Sequence, residues 1–191
     1  MAVRTVVQIG HPVLRVRARD VSRDELASAD GQRLVDDLID TMRHASGAGI
    51  AANQIAEPLR VCVIEVKDNP RYPYKPPIPL TVLVNPRITP LTEETFDNYE
   101  GCLSVPNLRG LVPRYVGARV QAWDRHGTDV DLEVWGLSAG TYQHECDHLD
   151  GRLFVDRVVD TKTLCTWEEF ERQHKSQFVE RVEALVARFG S

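Results

Sequence analysis

Two histidines and a glutamate stand together in Gln143-His144-Glu145-Cys146-Asp147-His148, and this run constrains the fold more than any other stretch of the chain. On a helix, His144 and His148 point to one face about a turn apart, where two imidazoles can hold one metal ion. Glu145 is rotated by about 100° from His144. It therefore reaches a water at that metal without being a ligand, takes its proton and returns it to a leaving group. Two neutral imidazoles do not complete such a site, so a third protein ligand has to come from elsewhere. The fold must bring a polar helix face together with at least one distant segment.

The spacing alone leaves that third ligand open. Thermolysin-like peptidases use a downstream glutamate, and the metzincin pattern needs a third histidine. The residues after His148 are Leu149-Asp150-Gly151-Arg152-Leu153-Phe154, with a glycine but no histidine, which excludes metzincins. Upstream lies Glu100-Gly101-Cys102-Leu103-Ser104-Val105-Pro106. A lone cysteine is more often a small buried hydrophobe, but here a soft thiolate would complete a Cys/His/His set. Further upstream, Gly47-Ala48-Gly49-Ile50-Ala51-Ala52-Asn53-Gln54 suits close approach of a ligand to backbone, and Gln54 offers an amide donor. Gln143 and Asp147 are expected to orient the imidazoles. Cys146, about 200° round the helix from His144, should face packing. Cys62 reads as core, Cys165 as incidental, and His11, His44, His126 and His174 have no ligand spacing.

Elsewhere, residues 3–9 are short and β-branched, and Gly10-His11-Pro12 breaks them. Residues 20–46 read as helical, with Ser22 and Glu25 at capping-box spacing and Leu34, Val35, Leu38, Ile39 and Met42 facing a core. Gly47 and Gly49 should stop that helix. Residues 61–66 and 80–88 read as strands, separated by a stretch over 67–79 that holds five of the eleven prolines and reads as an extended loop. Residues 118–123 and 130–135 form a hairpin pattern around Asp124-Arg125-His126-Gly127. A helix should begin near Ser138, and a second amphipathic one should run over 166–189. No repeat or domain break is visible, so the 191 residues read as one α+β domain.

The three separated motifs, in this order, resemble the peptide deformylase family: a G-x-G-φ-A-A-x-Q box (φ apolar), an E-G-C-x-S box and a Q-H-E-x-D-H box. The flanking Leu111-Val112-Pro113-Arg114 and His148-Leu149-Asp150-Gly151 are similar too, and the likeness runs over residues 3–158. The resemblance implies antiparallel strands packed around a central metal-binding helix, with N-terminal and C-terminal helices besides. It makes Cys102, His144 and His148 the metal ligands and Glu145 the general base and acid. The Gln54 amide and the Leu103 backbone N–H become oxyanion donors, Gly49 binds substrate through its backbone, and Glu100 and Arg109 lie at the pocket edge. The implied reaction removes the N-formyl group from the initiator methionine of nascent chains and releases formate. Two positions depart from the family pattern: Asn53, where proline is frequent, and Gly140-Thr141-Tyr142, which is smaller and more polar than the usual bulky apolar residues.

A metallopeptidase of the His-Glu-x-x-His class is the alternative, distinguished by its third ligand. A deformylase-like binding module without turnover is a third reading, and intact Glu145 and Gln54 speak against it. The resemblance favours Fe(II), with Zn(II), Ni(II) and Co(II) as other candidates. Acidic residues outnumber basic ones, 28 to 23, which argues against broad nucleic-acid binding. A ribosome surface is a candidate partner through the polar face of the C-terminal helix. Four cysteines without a CxxC pair, no signal-peptide h-region and no membrane-length apolar run point to a cytoplasmic protein with reduced thiols.

Overall fold

Ser22 opens the helical part of the chain. In the computed structural model, which describes residues 2–67 and 73–191, its hydroxyl accepts from Glu25 N at 3.1 Å while the Glu25 carboxylate accepts from Ser22 N at 2.8 Å. The reciprocal bonds satisfy two amides that a first helical turn leaves free. The helix they start is short: α1 spans Arg23–Ala27, and α2 spans Ala29–His44. The single helix expected over 20–46 is divided at Ser28, whose extended backbone lets its hydroxyl cap Gly31 N. At Gly31, α2 passes so close to α1 that an added Cβ would lie 2.2 Å from the Glu25 carbonyl oxygen. Val35, Leu38, Ile39 and Met42 are buried, with Leu34 packed alongside.

The end of α2 also departs from expectation. Ser46, not a glycine, takes the left-handed conformation (φ 52°), and Gly47 N then donates back to Met42 O. This closure satisfies the last free carbonyls of the helix. Gly49 is left free to start β1 (Gly49–Ala51).

β2 (Val61–Val66) matches its expected bounds, whereas β3 (Ile78–Pro90) is longer than its apolar run. β3 takes in Pro79, which the proline pattern had placed in a loop. The ladder shifts register between Ile64 and Val66 and again between Val84 and Arg87. Pro79 and Pro86 fall at these irregular points, where a missing N–H costs no ladder bond. Of the expected loop, residues 68–72 lie outside the described residues, and residues 73–77 precede β3. The hairpin forms as β6 (Gly117–Trp123) and β7 (Asp129–Trp135).

Two antiparallel sheets result, one ordered β1-β2-β3-β6-β7 and the other built from β4 (Thr95–Cys102), β5 (Val105–Tyr115) and β8 (Cys165–Thr166). Helix α3 (Gly136–Leu149) packs against strands of both, and nearly every one of its residues is buried. A helix buried all round while carrying this many polar groups is the interior element of an α+β fold. Residues 3–9 join neither sheet. They run extended, Val7 N donating to Gln54 O and Ile9 N to Ser104 O, and so tie two of the motif segments together.

The tail is not one continuous helix. α4 (Trp167–Glu169) leads into a π-helical turn (Phe170–His174) before α5 (Lys175–Phe189). The extra residue in that turn lets Phe170 bury while the His174 ring stacks on Tyr99 at 5.4 Å. Among the described residues no helix is long and apolar enough to cross a membrane.

The closeness of α1 and α2 gives a test. Alanine is the better helix former, yet Gly31→Ala should destabilise by about 1–3 kcal/mol because rigid backbone carbonyls occupy the space. Denaturant titration would read it, and an unchanged or raised midpoint would contradict this packing.

Candidate active site

Gly101 and the register shift between Glu100 and Cys102 turn the end of β4 toward α3. The Cys102 Sγ there lies 3.3 Å from His148 Nε2, which lies 3.2 Å from His144 Nε2. The three candidate ligand atoms fall within 4.8 Å of one another, and they are the one such group of three among the described residues. The sequence-predicted set is therefore brought together, from two elements whose nearest members are 42 positions apart in the chain.

Helix α3 carries these groups into a dry interior, where every charge needs a partner. Arg114 of β5 supplies it. Its guanidinium binds both oxygens of Glu100, at 2.7 and 2.9 Å, and reaches Asp147 at 2.6 Å; the Arg114 and Glu100 side chains are 2% and 4% exposed. Burial alone would raise the Glu100 carboxyl, but Arg114 and His144 hold it well below the usual carboxylate range. Glu100 in turn accepts from His144 Nδ1 at 2.8 Å, which aims Nε2 at the other two ligand atoms.

Glu100 thus does more than edge the pocket: it orients an imidazole. Gln143 and Asp147 do not take that part. Gln143 clasps the Tyr115 backbone through both amide atoms, and Asp147 pairs with Arg114 and Arg157. Each adjoins a histidine in the chain, but the helical repeat turns it to another face.

The two imidazoles shift in opposite directions. Burial disfavours charge on both, but Cys102 and Glu100 hold His144 well above the ordinary imidazole range, whereas His148, buried beside His144, falls well below it. Protonation and metal binding compete for the same ring nitrogens at such a cluster.

Glu145 sits beside this group. Its burial pushes the carboxyl up to about 7. A Cβ built on Gly49 would lie 2.5 Å from Glu145 Oε1, so the glycine is required by the approach of that carboxylate to β1. Gln54 turns its Oε1 to accept from Ala51 N at 2.9 Å, and its Nε2 donates to Ser104 Oγ at 3.1 Å and lies 3.4 Å from Cys102 Sγ. Gly49, Gln54, Glu100, Cys102, Leu103, Arg109, His144 and Glu145 line one pocket.

Residues 3–164 match the profile of the family described as polypeptide deformylase. The chain belongs to the peptide deformylase family. It is 44% identical to Peptide deformylase 1 of Nitrosomonas europaea over 160 residues, which cover 84% of this chain and 90% of that protein. It is likewise 44% identical over 176 residues to a peptide deformylase of Leptospira biflexa, covering 92% and 98%. The crystal structure of a class I type b peptide deformylase from Acinetobacter baumannii with Met-Ala-Ser bound is similar at a TM-score of 0.79. Its identity is 39%, over 82% of this chain and 99% of that one. With Cys102 in the cluster and the family shown, the peptidase alternative is set aside.

The deformylase motifs do not reveal the rest of the pocket wall. Arg109 is 1% exposed, donates to Tyr99 O at 3.2 Å, and lies 3.9 Å over the Trp167 ring and 4.6 Å over that of Phe170. Both rings belong to the tail beyond residue 164, where the apolar stripe was visible but its target was not. Asn53 donates to the His148 carbonyl oxygen, a contact that proline cannot make. Cys62 and Cys146 are buried thiols raised by that burial, Cys146 to about 12. Cys165 pairs with Arg109 across β5 and β8.

Arg114→Met leaves the buried Glu100 carboxylate without its countercharge and should cost about 3–5 kcal/mol. The exposed Arg119–Asp131 pair is the control, and Arg119→Met should leave the denaturation midpoint unchanged. Equal midpoints for the two variants would refute the role given to the buried network.

Proposed function

We propose that this chain hydrolyses the formamide at the N-terminus of formyl-methionyl peptides, giving formate and a free α-amine. The observation that carries this reading is the placement of Gln54 Nε2 and Cys102 Sγ 3.4 Å apart, beside a glutamate that is not a ligand. A thiolate and two imidazoles form a donor set that fits one divalent cation, for which we favour Fe(II) over Zn(II), Ni(II) or Co(II). Cys102, His144 and His148 would hold it, and such a cation supplies Lewis acidity that makes water nucleophilic near neutral pH.

The remaining steps belong to the chain's own side chains. Glu145, buried and set against Gly49, accepts the proton of the attacking water and delivers it to the departing amine nitrogen. Gln54 Nε2 and the Leu103 backbone N–H donate to the oxygen that gains charge as the formyl carbon becomes tetrahedral. Donors fixed beforehand act there without reorganisation, which lowers the barrier. Gln54 is held for this by Ala51 N and Ser104 Oγ. The peptide lies along β1, the edge strand of its sheet, where Gly49 presents backbone to an extended chain. The Met-Ala-Ser seen in the A. baumannii relative is the product of such a reaction, which supports this substrate class.

We place the protein in the cytoplasm, where Cys102 stays reduced, with residues 1–191 acting as one catalytic domain. The ribosome surface is its proposed partner, met through the exposed face of the helical tail over residues 167–189. Truncation after Thr166 would also strip Trp167 and Phe170 from Arg109, so charge reversal tests docking more cleanly. Arg172→Glu with Arg181→Glu should reduce co-sedimentation with ribosomes and leave turnover of short peptides intact; unchanged co-sedimentation rules out this surface.

For the reaction, protein loaded with iron without oxygen should release formate from formyl-Met-Ala-Ser. Glu145→Gln should keep its metal and lose about 10²–10⁴-fold in rate. Exposure to air should silence the iron form as Cys102 and the metal oxidise. No formate from fully loaded wild-type protein would disprove the assignment.

A further inference from the structure

The two imidazoles of the candidate metal centre are supported unequally. His144 has Glu100 at 2.8 Å from its Nδ1, and Arg114 holds Glu100 in turn. His148 presents Nε2 to the same centre, 3.3 Å from Cys102 Sγ and 3.2 Å from His144 Nε2. Its Nδ1 is buried and meets no hydrogen-bond partner among the described residues. A neutral imidazole that ligates through Nε2 carries its proton on Nδ1, so this buried atom is a donor that needs an acceptor.

An acceptor with the matching need lies against the same residue. Asn53 stands in the short helical turn Ala52–Ile55 and is 0% exposed. Its Nδ2 donates to the His148 carbonyl oxygen. That bond fixes the sense of the amide, because the reverse orientation would oppose two oxygens. Asn53 Oδ1 is therefore the atom left over, and it too is buried without a hydrogen-bond partner among the described residues. Within an imidazole, Nδ1 adjoins the carbon that joins the ring to Cβ, so it is the nitrogen nearer the main chain, where Asn53 is docked. A donor and an acceptor buried on residues already in contact each relieve the cost of the other by meeting.

We propose that Asn53 is a positioning residue for His148. Its Oδ1 accepts the His148 Nδ1 proton when the centre holds its metal, directly or through one ordered water, and so keeps Nε2 aimed at the cation. A carboxylate then backs one imidazole and a neutral amide the other. The amide suits the second place because the interior around α3 already encloses Glu100, Glu145 and Asp147. Proline at this position offers neither the donor nor the acceptor, which sets this chain apart from relatives that carry it. The inference rests on the metal-dependent reading of the site and adds a support for its second histidine.

The test uses the full chain with Zn(II) as the probe. Chelator competition gives the affinity, and the proton–nitrogen spectrum of isotope-labelled histidine reports the Nδ1 protons. Asn53→Leu keeps the branched shape without either polar atom and should bind Zn(II) about 10–100-fold more weakly. Asn53→Asp keeps the acceptor and loses only the donor, so it should stay within about threefold of wild type. Its charged acceptor makes a shorter, stronger bond, which should move the His148 Nδ1 proton downfield and leave that of His144 in place. Affinity lost alike in both variants, or kept in both, overturns the acceptor role, as does a His148 Nδ1 proton that does not move in Asn53→Asp. Should Asn53→Leu fail to fold, that spectrum decides alone. Wild-type protein that binds no Zn(II) overturns the metal-dependent reading as well.

Discussion

The buried guanidinium of Arg114 is the interaction on which the site depends. Helix α3 crosses the interior with Glu145, Asp147 and His148 all removed from water, and Glu100 of β4 is equally enclosed. Carboxylates in such a setting persist as charges only where a cation is fixed beside them. Arg114 binds Glu100 through a two-point fork and Asp147 through its third nitrogen, so one side chain locks β4, β5 and α3 into register. A pair of this kind adds little net stability, because desolvation offsets its attraction. Its contribution is geometric: it fixes an arrangement of the three elements in which Glu100 and Asp147 both meet a guanidinium, and in that arrangement Glu100 faces His144 Nδ1.

From there the chemistry follows by opposition of environments. Glu100 stays ionised because Arg114 compensates its burial, while Glu145 on α3, with no guanidinium bound to it among the described residues, is pushed up to about 7 by burial. Two glutamates lining the same pocket are thereby given different protonation tendencies, the condition for one to stay a fixed acceptor for His144 while the other exchanges a proton. Gly49 completes the division by leaving room for the Glu145 carboxylate beside an edge strand that an extended peptide can join.

What was legible in the sequence is what local periodicity and spacing encode. The His144–His148 pair, the Ser22–Glu25 cap, the apolar face of α2 and the β6–β7 hairpin depend on contacts within a few residues, and each forms where its pattern lies. Long-range pairings were not legible. Arg114 reads as one more arginine after a proline, and nothing nearby signals that Glu100 and Asp147 meet it. Asp147 sits beside the histidines in sequence, which suggested an orienting role, but the helix turns it toward Arg157. Ser28 divides the first helix because its hydroxyl offers Gly31 a cap that competes with helix continuation. The π turn at Phe170 is set by the ring that Tyr99 presents from β4, a partner some seventy positions away.

The tail lies outside the span that matches the family, yet it packs on the wall of the pocket. The candidate ligands, Glu145 and Gln54 all lie within residues 3–164, the span that matches the family. Beyond it, Trp167 and Phe170 each pack a ring against Arg109, Phe178 backs Tyr74 and Tyr99, and Leu137 N at the start of α3 donates to Ser191 O. These contacts touch no candidate ligand, yet they shape the wall against which a substrate side chain must lie. Rings and a guanidinium stacked in this way are stiff, because moving one opens a void beside the next. The tail therefore shapes the pocket from outside the matched span, because Arg109 and Tyr99, which line that pocket, are held by rings of the tail.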